Sequence, residues 1–135
     1  MLDVLLAVLS IPLLAMGANA CTAPTIASAV ANQAGNNGNI ATYDIAIRVK
    51  NNGPAAEPSS LLQSVEVYQD ATKVDQIGTP PLKSGGSATV HYRLQRSAEA
   101  PAGSTHVRLQ LVLHDPHGTP FADCSNVNDT YRIDV

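Results

Sequence analysis

Residues 43–50, Tyr-Asp-Ile-Ala-Ile-Arg-Val-Lys, place a large apolar side chain at every second position. Successive side chains of a β-strand point to opposite faces of a sheet, so this alternation predicts a strand with one buried face. The same period of two recurs in four later segments, residues 64–68, 88–95, 106–114 and 130–135. A weaker strand is predicted over residues 25–31 and a short edge strand over residues 72–77. The chain therefore holds about seven strands.

Clusters of Gly, Pro, Asn and Ser separate these strands, in residues 33–39, 51–54, 78–81, 84–86 and 117–120. Such residues adopt positive φ or fix φ near −65°, and so they end strands and form turns. No segment after residue 20 shows the period of an amphipathic helix. Short strands with one apolar face each, separated by turns, predict an all-β fold of two sheets packed face to face.

The composition indicates one globular domain. The chain has 135 residues, of which 44% are hydrophobic and 14% charged, with a formal net charge of −3. The eight Lys and Arg residues are scattered singly along the sequence. Because no basic tract is present to neutralise a phosphate backbone, we expect no nucleic-acid partner.

The first 20 residues have the features of a cleavable signal peptide. An apolar run over residues 4–16 is followed by small residues at Ala18 and Ala20, the positions that a signal peptidase requires. The run is too short to span a bilayer stably. We therefore predict a signal peptide over residues 1–20, a mature domain over residues 21–135 without a transmembrane segment, and a secreted or periplasmic location.

Two cysteines, Cys21 and Cys124, remain after cleavage. In an exported chain two cysteines most simply form one disulfide. A second interpretation is open because Cys21 would be the first mature residue, where an envelope lipoprotein carries its lipid. Lipidation would consume the Cys21 sulfur and leave Cys124 as a free thiol.

The order of several short motifs resembles the CARDB family, the cell adhesion related domain found in bacteria. The motifs are Val49-Lys50-Asn51-Asn52-Gly53, Val65-Glu66-Val67-Tyr68, residues 82–90, Pro101-Ala102-Gly103, residues 111–115 and residues 126–129. The resemblance implies a seven-stranded immunoglobulin-like or fibronectin III-like β-sandwich, usually a non-enzymatic module of bacterial or archaeal surface proteins. It also implies that Cys21 and Cys124 lie at the same end of the sandwich, which favours the disulfide.

The most polar stretch, residues 114–129, is the candidate for a metal or ligand site. Oxygen or nitrogen ligands would come from Asp115, His117, Asp123, Asn126 and Asp129. Their spacing does not match an EF-hand loop, and Asp and Asn side chains commonly bond their own backbone in long hairpins. We therefore expect a turn-forming role, with no metal and no cofactor.

No catalytic motif is present: the sequence lacks G-x-S-x-G, H-E-x-x-H, a P-loop and a dinucleotide fingerprint. We expect a non-enzymatic, exported module for protein–protein interaction or structural support at the bacterial cell envelope or surface. Its contacts with a protein partner would come from the loops 51–60 and 115–129. The alternatives are a small periplasmic metal- or ligand-binding protein that uses the 114–129 loop, and an envelope lipoprotein anchored at Cys21. The sequence does not define the oligomeric state.

Overall fold

The computed structural model of the protein describes residues 21–118 and 129–135, and these residues contain seven β-strands. The predicted signal peptide, residues 1–20, lies outside the described residues. The strands are β1 (Pro24–Asn37), β2 (Ile40–Asn51), β3 (Leu62–Gln69), β4 (Thr72–Thr79), β5 (Ser87–Ser97), β6 (His106–His114) and β7 (Thr130–Asp134).

The strands form two antiparallel sheets. The three-stranded sheet has the order β1-β2-β5, and the four-stranded sheet has the order β4-β3-β6-β7. An immunoglobulin constant domain carries its fourth strand on the sheet of the first two. Here the fourth strand pairs with the third, because the two are joined by a two-residue hairpin between Gln69 and Thr72. The prediction of an all-β, seven-stranded sandwich is confirmed.

The core lies between the two sheets and is built by the alternating positions that the sequence indicates. Ile45, Ile47 and Val49 of β2 are fully buried, as are Val65 and Val67 of β3. On β6, Val107, Leu109, Leu111 and Leu113 are buried, while the residues between them are only partly covered. Burial of an aliphatic side chain stabilises the fold by about 1.5–3 kcal/mol. These side chains form one continuous cluster, so the described part of the chain shares one core.

One turn prediction is wrong. Residues 33–39 do not form a loop, because β1 continues to Asn37 and pairs with β2 along the whole length of that strand. The connection is a two-residue turn at Gly38 and Asn39, in which Gly38 has φ +62°. Glycine at the first position of such a turn matches the twist of the flanking strands. The Gly- and Asn-rich composition thus marks a tight hairpin and not the end of a strand.

Polar contacts also occur among the side chains that face inward. Gln69 Nε2 on β3 donates to Tyr92 Oη on β5 at 2.9 Å and so joins the two sheets. Near the end of β5, the Arg96 guanidinium lies 5.0 Å from the centroid of the Tyr43 ring and donates to its hydroxyl. These bonds satisfy polar groups that would otherwise be costly inside the sandwich.

Candidate interaction surfaces

Three connections emerge at one end of the sandwich, which we call the Asn51 end. It contains the 51–61 and 80–86 loops and the start of the 115–129 connection. The register places these segments together, because Asn51 is opposite Pro24 on β1 and His114 is opposite Leu62 on β3. The loops 51–60 and 115–129 of the sequence analysis therefore begin at the same end. Loops carried by a rigid scaffold are common positions for binding residues.

Asn51 is the centre of this end and is fully buried. Its Oδ1 accepts hydrogen bonds from the backbone N–H groups of Ala23 and Gly53, both at 3.0 Å. Its Nδ2 donates to the carbonyl oxygens of Ala55 and Leu82, at 2.8 and 3.3 Å. One side chain thus joins the segment before β1, the 51–61 loop and the 80–86 loop. The turn cluster 51–54 indicates only a turn role for Asn51, although this side chain continues the inward alternation of β2.

The segment before β1, residues 21–23, packs closely on this loop. Asn52 N donates to Ala23 O at 3.0 Å, and Ala55 N donates to Cys21 O at 3.1 Å. A Cβ atom on Gly53 would lie 2.6 Å from Cys21 O and from Ala23 N. Only glycine fits here, because the obstructing atoms belong to the backbone.

Cys21 is half-buried at the Asn51 end, and no cysteine among the described residues is a free thiol. Its predicted partner Cys124 lies outside the described residues. The Cys21–Cys124 disulfide therefore stays a prediction.

Glu57 is a buried acid in the 51–61 loop. Its Oε1 accepts from Leu82 N at 2.7 Å, and Glu57 N donates to Leu82 O at 2.8 Å. Burial raises the pKa of the Glu57 carboxyl above its ordinary value, although the hydrogen bond from Leu82 opposes the rise. The only buried acid of this loop therefore holds the 80–86 loop in place and is not presented to a ligand.

The candidate ligands of the 114–129 loop are only partly described. Asp115 Oδ1 accepts from His117 N at 2.9 Å, and Gly118 N donates to Asp115 O at 3.0 Å. This is the turn-forming arrangement expected of an aspartate. The carbonyl of Asp129 accepts from Leu111 N at 2.9 Å, while Asp123 and Asn126 lie outside the described residues.

The described histidines are distributed over both sheets. His91 Nδ1 lies 3.0 Å from Asp44 Oδ2 on the three-stranded sheet, and His106 Nδ1 lies 2.8 Å from Asp134 Oδ1 on the four-stranded sheet. The hydrogen bond and charge of Asp134 raise the pKa of His106. Among residues 21–118 and 129–135, no group of three or more His, Cys, Asp or Glu side chains is arranged to hold a metal ion.

A groove of about 620 Å³ opens beside this end, along the ends of β3 and β4. It is lined in part by Leu62, Gln63, Thr79 and His114. Leu62 is 57% exposed, whereas Gln63 is buried and donates to Thr79 Oγ1 at 2.7 Å. The volume is within the range of small-molecule sites.

The outer face of the four-stranded sheet is covered by a connected layer of polar side chains. Lys73 Nζ lies 2.9 Å from Glu66 Oε2, and Tyr68 Oη donates to Glu66 Oε1 at 3.0 Å. The Arg108 guanidinium lies 4.0 Å from the centroid of the Tyr68 ring. Tyr68 faces outward, and Arg108 lies over its ring.

Two antiparallel sheets of three and four strands around one aliphatic core define a β-sandwich module. The model of the CARDB family matches residues 24–117, and the chain belongs to this family. It is thus a cell-adhesion-related β-sandwich module of a family that is typically non-catalytic, and no enzyme family is found.

Two of the solved structures that match this chain are CARDB domains with the same fold. The crystal structure of the CARDB domain of the PF1109 protein from Pyrococcus furiosus, in complex with di-metal ions, superposes with a TM-score of 0.55 at 17% identity. That match covers 85% of this chain and 92% of the other. The solution NMR structure of the same domain gives a TM-score of 0.54 at 19% identity, covering 86% and 94%.

A search of curated proteins finds no match to this chain. Within the described ranges, the structure contains no helix long and apolar enough to cross a membrane.

Proposed function

We propose that this protein is an exported, non-enzymatic module for protein–protein interaction or structural support at the bacterial cell envelope or surface. The observation that carries the proposal is membership of the CARDB family over residues 24–117. Export is supported by the apolar run and the Ala18 and Ala20 positions of the leader. The interacting protein is a separate envelope or surface component.

The Asn51 end supports a scaffold role. Its buried polar side chains, Asn51 and Glu57, are bonded to the backbone of neighbouring loops. Pro54, Ser59 and Ser60 remain exposed on the same loop. A loop held internally at both ends presents its exposed residues with little loss of conformational entropy on binding.

In-cell photocrosslinking tests the interaction role. The photoreactive residue benzoylphenylalanine replaces Ser59 in the loop or Gln95 on β5, with Arg132 on β7 of the other sheet as the matched control. All three positions are exposed. We expect a discrete protein adduct in the envelope fraction from Ser59 or Gln95 and none from Arg132. The absence of an adduct at both test positions would contradict the proposal.

A small ligand- or metal-binding role is the second candidate, favoured by the groove beside His114. The Pyrococcus furiosus domain was solved with di-metal ions, which makes a metal the first ligand to test. Thermal-shift titrations with Ca²⁺, Zn²⁺ and Cu²⁺ would show a midpoint in the micromolar range. Loss of that shift in Asp115→Asn, but not in Asp75→Asn on β4, would locate the ion at the 114–129 loop. Absence of any shift would exclude these three ions.

Intact mass of the exported protein distinguishes the disulfide from the lipid anchor. A mature chain that begins at Cys21 and has lost two hydrogens carries the disulfide to Cys124. A mass increased by a diacylglyceryl group shows the lipoprotein. Peptide mapping without reduction then identifies the crosslinked cysteines.

A further inference from the structure

The two sheets of the sandwich have four edge strands, and three of them are poorly suited to pairing with another chain. β1 contains Pro24 and two irregularities in its register with β2. β4 has an irregularity opposite Val67 and Tyr68. β7 has only five residues. Proline, bulges and short length are common ways in which natural sheets prevent edge pairing.

β5 has none of these features. Its eleven residues, Ser87–Ser97, pair with β2 in an unbroken register and contain neither proline nor glycine. Within the described ranges β5 pairs with β2 alone. β4 lies near β5 across the sandwich but forms no backbone hydrogen bond with it.

The hydrogen bonds at the two ends of β5 show which backbone groups are open. Asn51 N donates to Gly86 O at 2.9 Å, and Ala98 N donates to Asn39 O at 2.7 Å. Hydrogen-bonded pairs of an antiparallel ladder recur every second residue, so the even-numbered residues of β5 bond to β2. The N–H and C=O groups of Thr89, His91, Arg93 and Gln95 then point to the open edge. These groups have no hydrogen-bond partner among the described residues.

The open edge is basic, although the chain has a formal charge of −3. On the outer face of the sheet, β5 carries Arg93 and no acidic residue, because Arg96 points inward to Tyr43. Beside it on β2, Arg48 and Lys50 lie on the same face with a single acid, Asp44, which is opposite Arg93 and 3.0 Å from His91. A partner strand with acidic side chains on this face would complement the edge.

A second copy of this strand lacks a complementary charge. β5 carries no acidic residue, so an antiparallel β5–β5 pair in any register brings no carboxylate of the second strand beside Arg93. Centred on Arg93, the two Arg93 side chains would face each other, and like charges directly opposite are destabilising in a sheet. The charge pattern therefore favours a different, acidic partner over self-pairing.

We propose that the β5 edge binds an extended acidic segment of another protein as an added strand. Thr89, His91, Arg93 and Gln95 supply the backbone hydrogen bonds. Alternate Asp or Glu side chains of the added strand lie beside His91 and Arg93 on the outer face. Main-chain bonds provide affinity in this mode of recognition, and the side chains select the partner. The inference rests on the proposed interaction role and names its surface and partner chemistry.

The test uses the ¹⁵N-labelled mature protein and a synthetic eight-residue peptide in which glutamate alternates with valine. We expect saturable amide shifts and slower hydrogen exchange at Thr89, His91, Arg93 and Gln95. The same peptide with lysine in place of glutamate is the charge control, and a peptide with alternate N-methylated amides is the backbone control. We expect neither control peptide to bind.

Arg93→Glu should weaken binding of the glutamate peptide by about three- to tenfold, as expected for a cross-strand charge pair. Arg132→Glu, an exposed charge on the other sheet, is the matched control and should change the affinity less than twofold. Equal binding of the lysine peptide, shifts confined to the 51–61 loop, or a β5-mediated dimer in sedimentation would overturn the proposal. A crosslinked protein at Ser59 with no peptide bound at β5 would leave the interaction role standing and reject only the edge.

Discussion

At the scale of single residues, Asn51 is the side chain on which the Asn51 end depends. It bonds four backbone groups from three separate segments while fully buried. Loss of a buried bonding partner costs more than the net value of the bond, because the remaining group stays desolvated. The structural role of the Val49–Gly53 motif therefore follows from this one amide.

Asn51→Ala should lower the free energy of unfolding by at least about 3 kcal/mol, since several backbone groups lose their partner at once. Asn52→Ala is the matched control, because Asn52 is exposed and its side chain forms no hydrogen bond in the described part of the structure. Urea unfolding of the three proteins measures the difference. An Asn51→Ala variant as stable as Asn52→Ala would contradict this role.

Glu57 predicts a pH dependence of stability. Its pKa is raised in the folded protein, so the folded state holds a proton at pH values where the unfolded chain has released it. The contribution of this proton to the free energy of unfolding is fully present below the unfolded pKa of about 4.5. It is lost as the pH rises through the folded pKa of Glu57.

Glu57→Gln should remove this loss. The free energy of unfolding of the variant minus that of the natural protein should therefore increase between about pH 4.5 and neutrality. Urea unfolding at several pH values measures the relative change. Glu99→Gln, at an exposed position, should show no such trend. A difference between Glu57→Gln and the natural protein that is constant with pH would contradict the buried-acid interpretation.

At the scale of elements, the β3–β4 hairpin contains a strained position. The two turn residues, Asp70 and Ala71, have φ values of 47° and 75°. A two-residue turn with both φ values positive favours Asn or Asp followed by Gly. Asp70 suits its place, whereas Ala71 carries a Cβ atom in a region that L-residues seldom adopt.

Ala71→Gly should therefore stabilise the protein by about 0.5–1 kcal/mol, even though glycine gains entropy in the unfolded chain. Ala56→Gly, at an exposed loop alanine without positive φ, should be neutral or destabilising. Thermal unfolding of both variants tests the expectation. A destabilised Ala71→Gly protein would show that the turn is not strained.

The strands could be predicted from the sequence because period-two burial is a local property. Residues 43–50 predicted β2 and residues 106–114 predicted β6, and both strands were found with the expected inward faces. The length of β1 was missed. Its residues 33–37 are exposed and include no large apolar side chain, so their strand state depends on pairing with β2 and not on burial. A local sequence pattern does not specify which strand supplies the hydrogen-bond partners across the sheet.

The site residues were harder to predict for a related reason. The alternation of β2 extends to Asn51 and that of β5 extends to Arg96, so the inward direction of both could be inferred. Their bonding partners, Leu82 and Ala55 for Asn51 and Tyr43 for Arg96, come from distant or looped segments. The polar 114–129 loop was the candidate site predicted from the sequence. The open edge of β5 was not predicted, because it depends on which strands lie at the ends of each sheet.

At the scale of the whole molecule, buried contacts stabilise the sandwich, and the outer face beside its open strand edge is basic. The buried polar groups at the Asn51 end and the Arg96–Tyr43 contact serve the fold. The edge of β5 has regular backbone groups that remain open within the described structure. These features are the basis of our proposal that the protein acts by binding another chain.

Amide hydrogen exchange of the full chain, compared between the envelope fraction and the purified protein, tests this claim most directly. Exchange reports whether the backbone groups of a strand are engaged. We expect the segment 87–97 to exchange more slowly in the envelope fraction than in the purified protein. The segment 72–79 of β4 should exchange at the same rate in both samples. Identical exchange of the two segments in both samples would contradict the claim.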